Sequence, residues 1–141
     1  MIKYTASNFS GNCEIDEDFK PYLDHMNEVA KEHGIKVIVT SSYRPDTNVK
    51  GAIVTPAQRS NHLIGYAIDC NLQDIKTGEY FNSVKMGDGV GLDESFIKDV
   101  EKTGLRWGGR FKAKDVVHFD YPLNINNPKL WQEKYNKIHN V

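Results

Sequence analysis

The order of the predicted helices and strands is the feature that most constrains the fold of this chain. An amphipathic helix is predicted over residues 19–33, and a short β-branched strand, Ile35–Thr40, follows it directly. Further strands are predicted at Gly65–Leu72 and Val116–Tyr121. The elements alternate without the regular strand–helix–strand repeat of a parallel sheet. The pattern therefore favours an α+β fold, with a small antiparallel sheet flanked by helices.

Polar and special residues mark where the predicted helices begin and end. Asp16 or Asp18 can cap the first helix, and Gly34 suits the left-handed residue just past its end. Asp93 is the predicted cap of a second helix, and Pro128 opens a helix at the carboxyl end of the chain. These signals predict helices that flank the sheet.

Composition limits the function classes that the chain can serve. The 141 residues carry 18 Lys+Arg and 19 Asp+Glu, a formal charge of −1, and the length predicts one domain over residues 1–141. Proteins that hold nucleic acid or anionic membranes electrostatically usually carry a basic excess. There is also no apolar run of about 18 residues and no secretory signal. We therefore expect neither nucleic acid nor membrane as a partner, and synthesis in the cytoplasm.

The two cysteines do not explain the chemistry of the chain. Cys13 and Cys70 fit no metal-binding or redox spacing, and the sequence leaves open whether they pair or stay free. Strand alternation places Cys70 on the core side of its strand, with Ile68 and Leu72, and places Asp69 on the opposite face.

Histidine and aspartate residues provide a candidate metal site. His62 lies seven residues before Asp69, and Asp115 lies three residues before His118. Two histidines and a carboxylate leave the fourth position of tetrahedral zinc open, as in catalytic sites, and a further carboxylate nearby can act as general base. Either pair alone also fits an ordinary strand histidine and turn aspartate.

Four segments read in order are more specific than either pair. Ser41–Arg44, Ser60–Asp69, Trp107–Gly109 and Asp115–Asp120 together resemble zinc-dependent peptidoglycan peptidases, a family of D-Ala-D-Ala carboxypeptidases and phage-type L-alanyl-D-glutamate endopeptidases. The resemblance spans residues 37–121. It implies the fold that these peptidases share with the hedgehog signalling domain, and a Zn²⁺ cofactor.

The resemblance also implies roles for individual residues. His62, Asp69 and His118 are the expected zinc ligands, Asp115 is the expected catalytic base, and Arg44 is the expected cation near the scissile group, either for the developing oxyanion or for a substrate carboxylate. His25, His33 and His139 are expected not to be ligands.

Ser60 and Trp107 are expected to bind substrate, although Trp107 is equally well explained as a core aromatic. Two features depart from the family pattern: Val117 stands where the endopeptidases often have proline, and residues 46–58 form a long polar loop in place of a glutamine-bearing helix.

The implied reaction is hydrolysis of an amide bond in a peptidoglycan stem peptide. Residues 104–109 and the aspartate at position 115 resemble the endopeptidases, so we expect cleavage between L-Ala and D-Glu. D-Ala-D-Ala carboxypeptidase is the alternative, and a non-catalytic metal-containing binding module is a third. The enzyme is expected to be a monomer acting on the cell wall, released with a holin or delivered as an antibacterial effector opposed by an immunity protein.

Overall fold

The computed structural model describes residues 1–45, 59–88 and 94–139. The predicted loop at 46–58 and the predicted cap Asp93 lie outside these residues. The described strands are β1 (Ile2–Lys3), β2 (Phe9–Ser10), β3 (Glu14–Ile15), β4 (Ile35–Ser41), β5 (Ala67–Asp74), β6 (Tyr80–Phe81), β7 (Arg106–Trp107) and β8 (His118–Asp120). The described α-helices are α1 (Lys20–His33), α2 (Ser83–Asp88), α3 (Glu94–Glu101), α4 (Leu123–Asn126) and α5 (Pro128–His139).

The first helix ends as the sequence predicts, whereas its predicted cap, Asp16, caps the short turn before it and no side chain caps the helix itself. The Asp16 side chain accepts a hydrogen bond from the Asp18 backbone N–H and so caps a short 3-10 turn, Glu17–Phe19, that leads into α1. Gly34 ends α1 in the left-handed conformation with φ 65°. This conformation ends the helix and allows strand β4 to begin at the next residue. Any residue other than glycine would be strained in it.

The main sheet is antiparallel apart from one pair of strands. Its order is β2-β4-β5-β8-β7, with β6 also pairing with β5, and only the β2–β4 pair is parallel. Strands β1 and β3 form a separate two-stranded sheet. Helices and an antiparallel-dominated sheet confirm the predicted α+β class.

The two faces of β5 have different surroundings. Ile68, Cys70 and Leu72 are completely or almost completely buried in the core, whose other members include buried side chains of α1 and α3. Asp69 and Asn71 alternate with them on the other face and are only partly buried. The alternation predicted for this strand is therefore confirmed from Ile68 to Leu72, and over this stretch the face that carries Asp69 is the open face of the sheet.

The structure adds short elements that the sequence pattern does not predict. Strands of two residues, such as β7, are too short to show any periodicity in sequence. Strand β8 is also shorter than predicted, because Val116 and Val117 belong to the turn before it. The 3-10 helix Asn61–Ile64, which carries His62, precedes β5.

Both cysteines are free and buried, so the pairing alternative for Cys13 and Cys70 is not realised in the structure. Within the described residues, no helix has the length and apolar character needed to cross a membrane.

Replacing Cys70 tests the assignment of the two faces of β5. Because its side chain packs in the core, we expect Cys70→Ala to lower the free energy of unfolding by about 1 kcal/mol while leaving metal content unchanged. Denaturant unfolding and metal analysis after dialysis measure the two quantities. Loss of bound metal in this variant would contradict the assignment.

Candidate metal centre

Three separate elements bring His62, Asp69 and His118 together. His62 lies on the 3-10 helix before β5, Asp69 lies on β5, and His118 opens β8 directly opposite Asp69. His62 Nε2 is 3.2 Å from Asp69 Oδ1 and 3.2 Å from His118 Nδ1, and His118 Nδ1 is 3.4 Å from Asp69 Oδ1. Among the described residues, this is a group of side chains that can hold a metal ion.

Backbone contacts fix the orientation of His62. Its Nδ1–H donates to the Ser42 carbonyl at 2.7 Å, and its own carbonyl accepts from the Arg44 backbone N–H at 3.1 Å. Ser60 caps the 3-10 helix, because its Oγ accepts from the His62 backbone N–H at 3.2 Å. The segment that contains Ser42 and Arg44 thus clamps His62 from two sides.

A buried carboxylate fixes the orientation of His118. Asp120 lies two residues along the same strand, is 2% exposed, and accepts from His118 Nε2–H at 2.9 Å. Arg106 donates to both oxygens of Asp120, from Nε and Nη2, at 2.8 Å each. The Asn61 amide, adjacent to His62, donates to Asp120 Oδ2 at 2.9 Å. Asp120 therefore connects the supports of the two histidines.

These hydrogen bonds decide which ring nitrogens are free. A neutral His62 that donates from Nδ1 has its lone pair on Nε2, and a neutral His118 that donates from Nε2 has its lone pair on Nδ1. Both lone pairs converge with the Asp69 carboxylate. Tetrahedral zinc with bonds of about 2.0–2.2 Å has ligand atoms roughly 3.3–3.6 Å apart, close to the three distances observed. The donor atoms and their spacing fit zinc.

Charges within the group shift the pKa values of its members. Burial raises the pKa of Asp69, but its close contacts with the His118 and His62 rings outweigh it and hold that pKa below its ordinary range. Burial lowers the pKa of His118, but its contacts with the Asp120 and Asp69 carboxylates raise it to about 9 overall. The surroundings therefore favour an anionic Asp69 and a positive charge beside it, which a bound cation also supplies.

Arg44 and Asp115 lie at the rim of this group. Arg44 Nη2 is 3.9 Å from Asp69 Oδ2, and the Asp115 Oδ2 oxygen is 3.9 Å from His118 Nδ1. Both side chains are about half exposed, at 55% and 51%. A cation and a carboxylate thus border the three ligand atoms where solvent and a substrate have access.

A close backbone approach holds Asp115 in place. The Asp115 backbone N–H donates to the Gly108 carbonyl at 2.9 Å, and its carbonyl accepts from the His118 backbone N–H at 3.1 Å. A Cβ at position 108 would lie only 2.1 Å from the Asp115 carbonyl oxygen, so only glycine fits this contact.

The structure gives Ser60 and Trp107 supporting contacts, and their contact with substrate stays a prediction. Ser60 is the helix cap described above. Trp107 is 6% exposed, pairs with Phe119 across β7 and β8, and donates from Nε1 to the Val116 carbonyl at 2.7 Å. That contact fixes the turn that leads to His118.

The remaining histidines lie apart from the group. His33 bonds to Asp99 at 2.8 Å, and His139 Nδ1 donates to the Tyr135 carbonyl at 2.9 Å on α5. His25 is on α1.

Sequence reasoning missed the supporting roles of Asp120, Arg106 and Phe111. The sequence pattern could have predicted the role of Asp120, because residues two apart on a strand share a face and an aspartate at that distance can contact His118. No sequence pattern predicts the role of Arg106, because its pairing with Asp120 depends on the two-residue strand β7. The Phe111 ring lies 5.7 Å from the His118 ring and 4.7 Å from the Arg106 guanidinium, so it covers the Arg106 side of the site.

A protein-family model matches the part of the chain that carries the candidate site. Residues 54–121 match a family model described as D-alanyl-D-alanine carboxypeptidase, a region that contains all three candidate ligands and Asp115. The resemblance to this family of peptidoglycan peptidases is therefore confirmed. No curated protein matches the chain.

Among solved structures, the chain is similar to the Serratia marcescens L-Ala D-Glu endopeptidase ChiX. The match has a TM-score of 0.48 and 15% sequence identity, and it covers 77% of this chain and 81% of that one.

Removing a ligand tests the metal centre. We expect His62→Ala, Asp69→Asn and His118→Ala each to lose the equivalent of zinc that the wild type retains, because two donors hold a divalent ion far more weakly than three. His25→Ala is the matched control and should keep its zinc. Metal analysis after dialysis measures the content. A full equivalent in any of the three variants would remove that residue from the site.

Asp120→Asn tests the support of His118. The change keeps the shape of the side chain but removes its charge, and loss of such a supporting carboxylate typically weakens metal binding by about 10–100-fold. Zinc affinity is measured by competition with a chelator. Asp24→Asn on α1, which removes a carboxylate bonded to Lys20 and Tyr4, is the control. Equal affinities for Asp120→Asn and wild type would show that Asp120 has no such role.

Proposed function

We propose that the chain is a single-domain zinc peptidase that hydrolyses an amide bond in peptidoglycan stem peptides. The observation that carries the proposal is the convergence of two imidazole lone pairs and one carboxylate, with a further carboxylate at the rim. The family match supports the substrate class.

His62, Asp69 and His118 would hold the ion, and their three donors leave one side of it open. When bound, zinc would lower the pKa of its water to about 7 and polarise a carbonyl group. Asp115 and Arg44 lie beside these three donors, where a substrate would approach the bound ion.

Asp115 is proposed as the general base. Its carboxylate accepts a proton from the attacking water and returns it to the departing amine, which completes the hydrolysis without any other titratable group. The contact between its backbone and Gly108 positions Asp115, whose carboxylate lies 3.9 Å from His118 Nδ1 and could reach a water on a bound ion.

Arg44 is proposed to neutralise negative charge on the substrate. Its guanidinium lies next to Asp69 while Asp115 lies next to His118, so the two side chains can serve different groups of the substrate. A donor to a developing oxyanion contributes about 2.7–4 kcal/mol in a measured case. A substrate carboxylate in the same position would instead be bound as a bidentate pair.

We propose the L-Ala to D-Glu amide as the scissile bond. The glycine-rich segment before the turn and the aspartate at position 115 support this choice, since both resemble the endopeptidases. The name of the matching family model supports the runner-up, removal of a terminal D-Ala. A binding module without catalysis is a weaker alternative, because it has no use for a carboxylate held at the position of Asp115.

Asp115→Asn separates catalysis from metal binding. We expect kcat to fall about 10²–10⁴-fold with zinc content unchanged, because the variant cannot accept a proton but leaves the three ligands in place. Glu133→Gln on α5 is the control for loss of one exposed carboxylate. Peptidoglycan digestion measures the rate. Unchanged turnover in Asp115→Asn would exclude it as the base.

Digestion of purified muropeptides decides the bond. Mass spectrometry should show products with a new amino terminus at D-Glu. Loss of a single terminal D-Ala, with the L-Ala to D-Glu bond intact, would replace the endopeptidase by the carboxypeptidase and leave the metal site standing. No cleavage of either bond by the zinc-loaded protein would contradict the proposed function.

A further inference from the structure

The open face of the sheet continues beyond the metal centre through a second pair of polar side chains. Asn71 follows Asp69 by two residues on β5 and shares its face, so the two positions are about 6.6 Å apart along the strand. Tyr80 comes from β6, which pairs with the same edge of β5 as β8 but further along. Asn71 and Tyr80 thus lie next to the centre, on the side away from His62.

A hydrogen bond joins these two side chains. Asn71 Nδ2 donates to the Tyr80 hydroxyl oxygen at 2.8 Å. The Tyr80 O–H hydrogen, the second Asn71 Nδ2 hydrogen and the Asn71 Oδ1 acceptor remain available, and within residues 1–45, 59–88 and 94–139 no other side-chain hydrogen bond involves either residue. The pair therefore presents at least one donor and one acceptor side by side.

This polar pair reaches solvent, because Tyr80 is exposed and Asn71 is only partly buried. Tyr80 is 41% exposed, although its neighbour Phe81 on β6 is buried in the core. Ile38 lies beside Asn71 on β4 and is partly buried on the same face. The hydrogen-bonding pair thus has an apolar border, formed by the tyrosine ring and the isoleucine.

One donor beside one acceptor is the complement of an amide group, which carries a carbonyl oxygen and an N–H. Since an extended peptide advances about 3.3 Å per residue, an amide at this pair lies about two residues from a bond held at the metal centre. A substrate longer than the scissile dipeptide can therefore reach both places at once.

We propose that Asn71 and Tyr80 form a substrate subsite, which binds an amide group of the stem peptide about two residues from the scissile bond. The inference rests on the proposed function, because the proposed function supplies the stem-peptide substrate and the position of the scissile bond at the metal centre. Binding at this subsite adds affinity for stem peptides over short dipeptides.

The dependence on substrate length tests the subsite. We expect Tyr80→Phe to lower kcat/KM about 10-fold on a stem pentapeptide, and less than 2-fold on a blocked dipeptide that carries only the scissile bond. Zinc content should not change. Tyr4→Phe is the matched control, since it removes a hydroxyl that bonds to Asp24 on α1. An equal effect of Tyr80→Phe on both substrates, or no effect on either, would overturn the subsite.

Equilibrium binding separates this inference from the proposed function. The pentapeptide is titrated by calorimetry into zinc-loaded Asp115→Asn, with and without Tyr80→Phe. Binding that weakens 5–10-fold in the double variant supports the subsite even if the wild type cleaves no bond. Unchanged binding in the double variant, with cleavage by the wild type, overturns the subsite alone. No binding of the pentapeptide overturns both.

Discussion

The pairing register of β5 with β8 is the constraint on which the site depends. It places Asp69 opposite His118 and Ala67 opposite Asp120. Because strand side chains alternate between faces, a slip of one residue would turn Asp69 into the core and bring Cys70 to the ligand position. The buried side chains of Ile68, Cys70 and Phe119 oppose that slip, so core packing holds two ligands on one face.

The third ligand reaches the same place by a different route. His62 is not part of the sheet, and the Ser42 carbonyl and the Ser60 cap set its position. Asn61 connects this segment to Asp120 and so links its placement to β8. A buried polar network is energetically costly unless each of its polar groups has a hydrogen-bond partner. In this network the free lone pairs of the two histidines point to the same place. A bound cation is the natural partner for that arrangement.

Much of the fold could be predicted from residues whose signals are local. The helix ending at Gly34 and the alternation around Cys70 follow from capping and periodicity, and the structure has both. The candidate ligands could be identified because their motifs occur in order along the chain. What the sequence could not give depends on tertiary contacts: Arg106 reaches Asp120 only through a two-residue strand, and Tyr80 reaches Asn71 only because β6 and β8 share an edge of β5.

The central claim is that two imidazoles and one carboxylate from distant segments bind zinc with an open position. X-ray absorption at the zinc edge of the metal-loaded protein tests it most directly. The account predicts nitrogen and oxygen neighbours at about 2.0–2.2 Å, with the outer-shell scattering of two imidazole rings and a coordination number of four. A sulfur neighbour at about 2.3 Å, or a shell without two imidazoles, would contradict it.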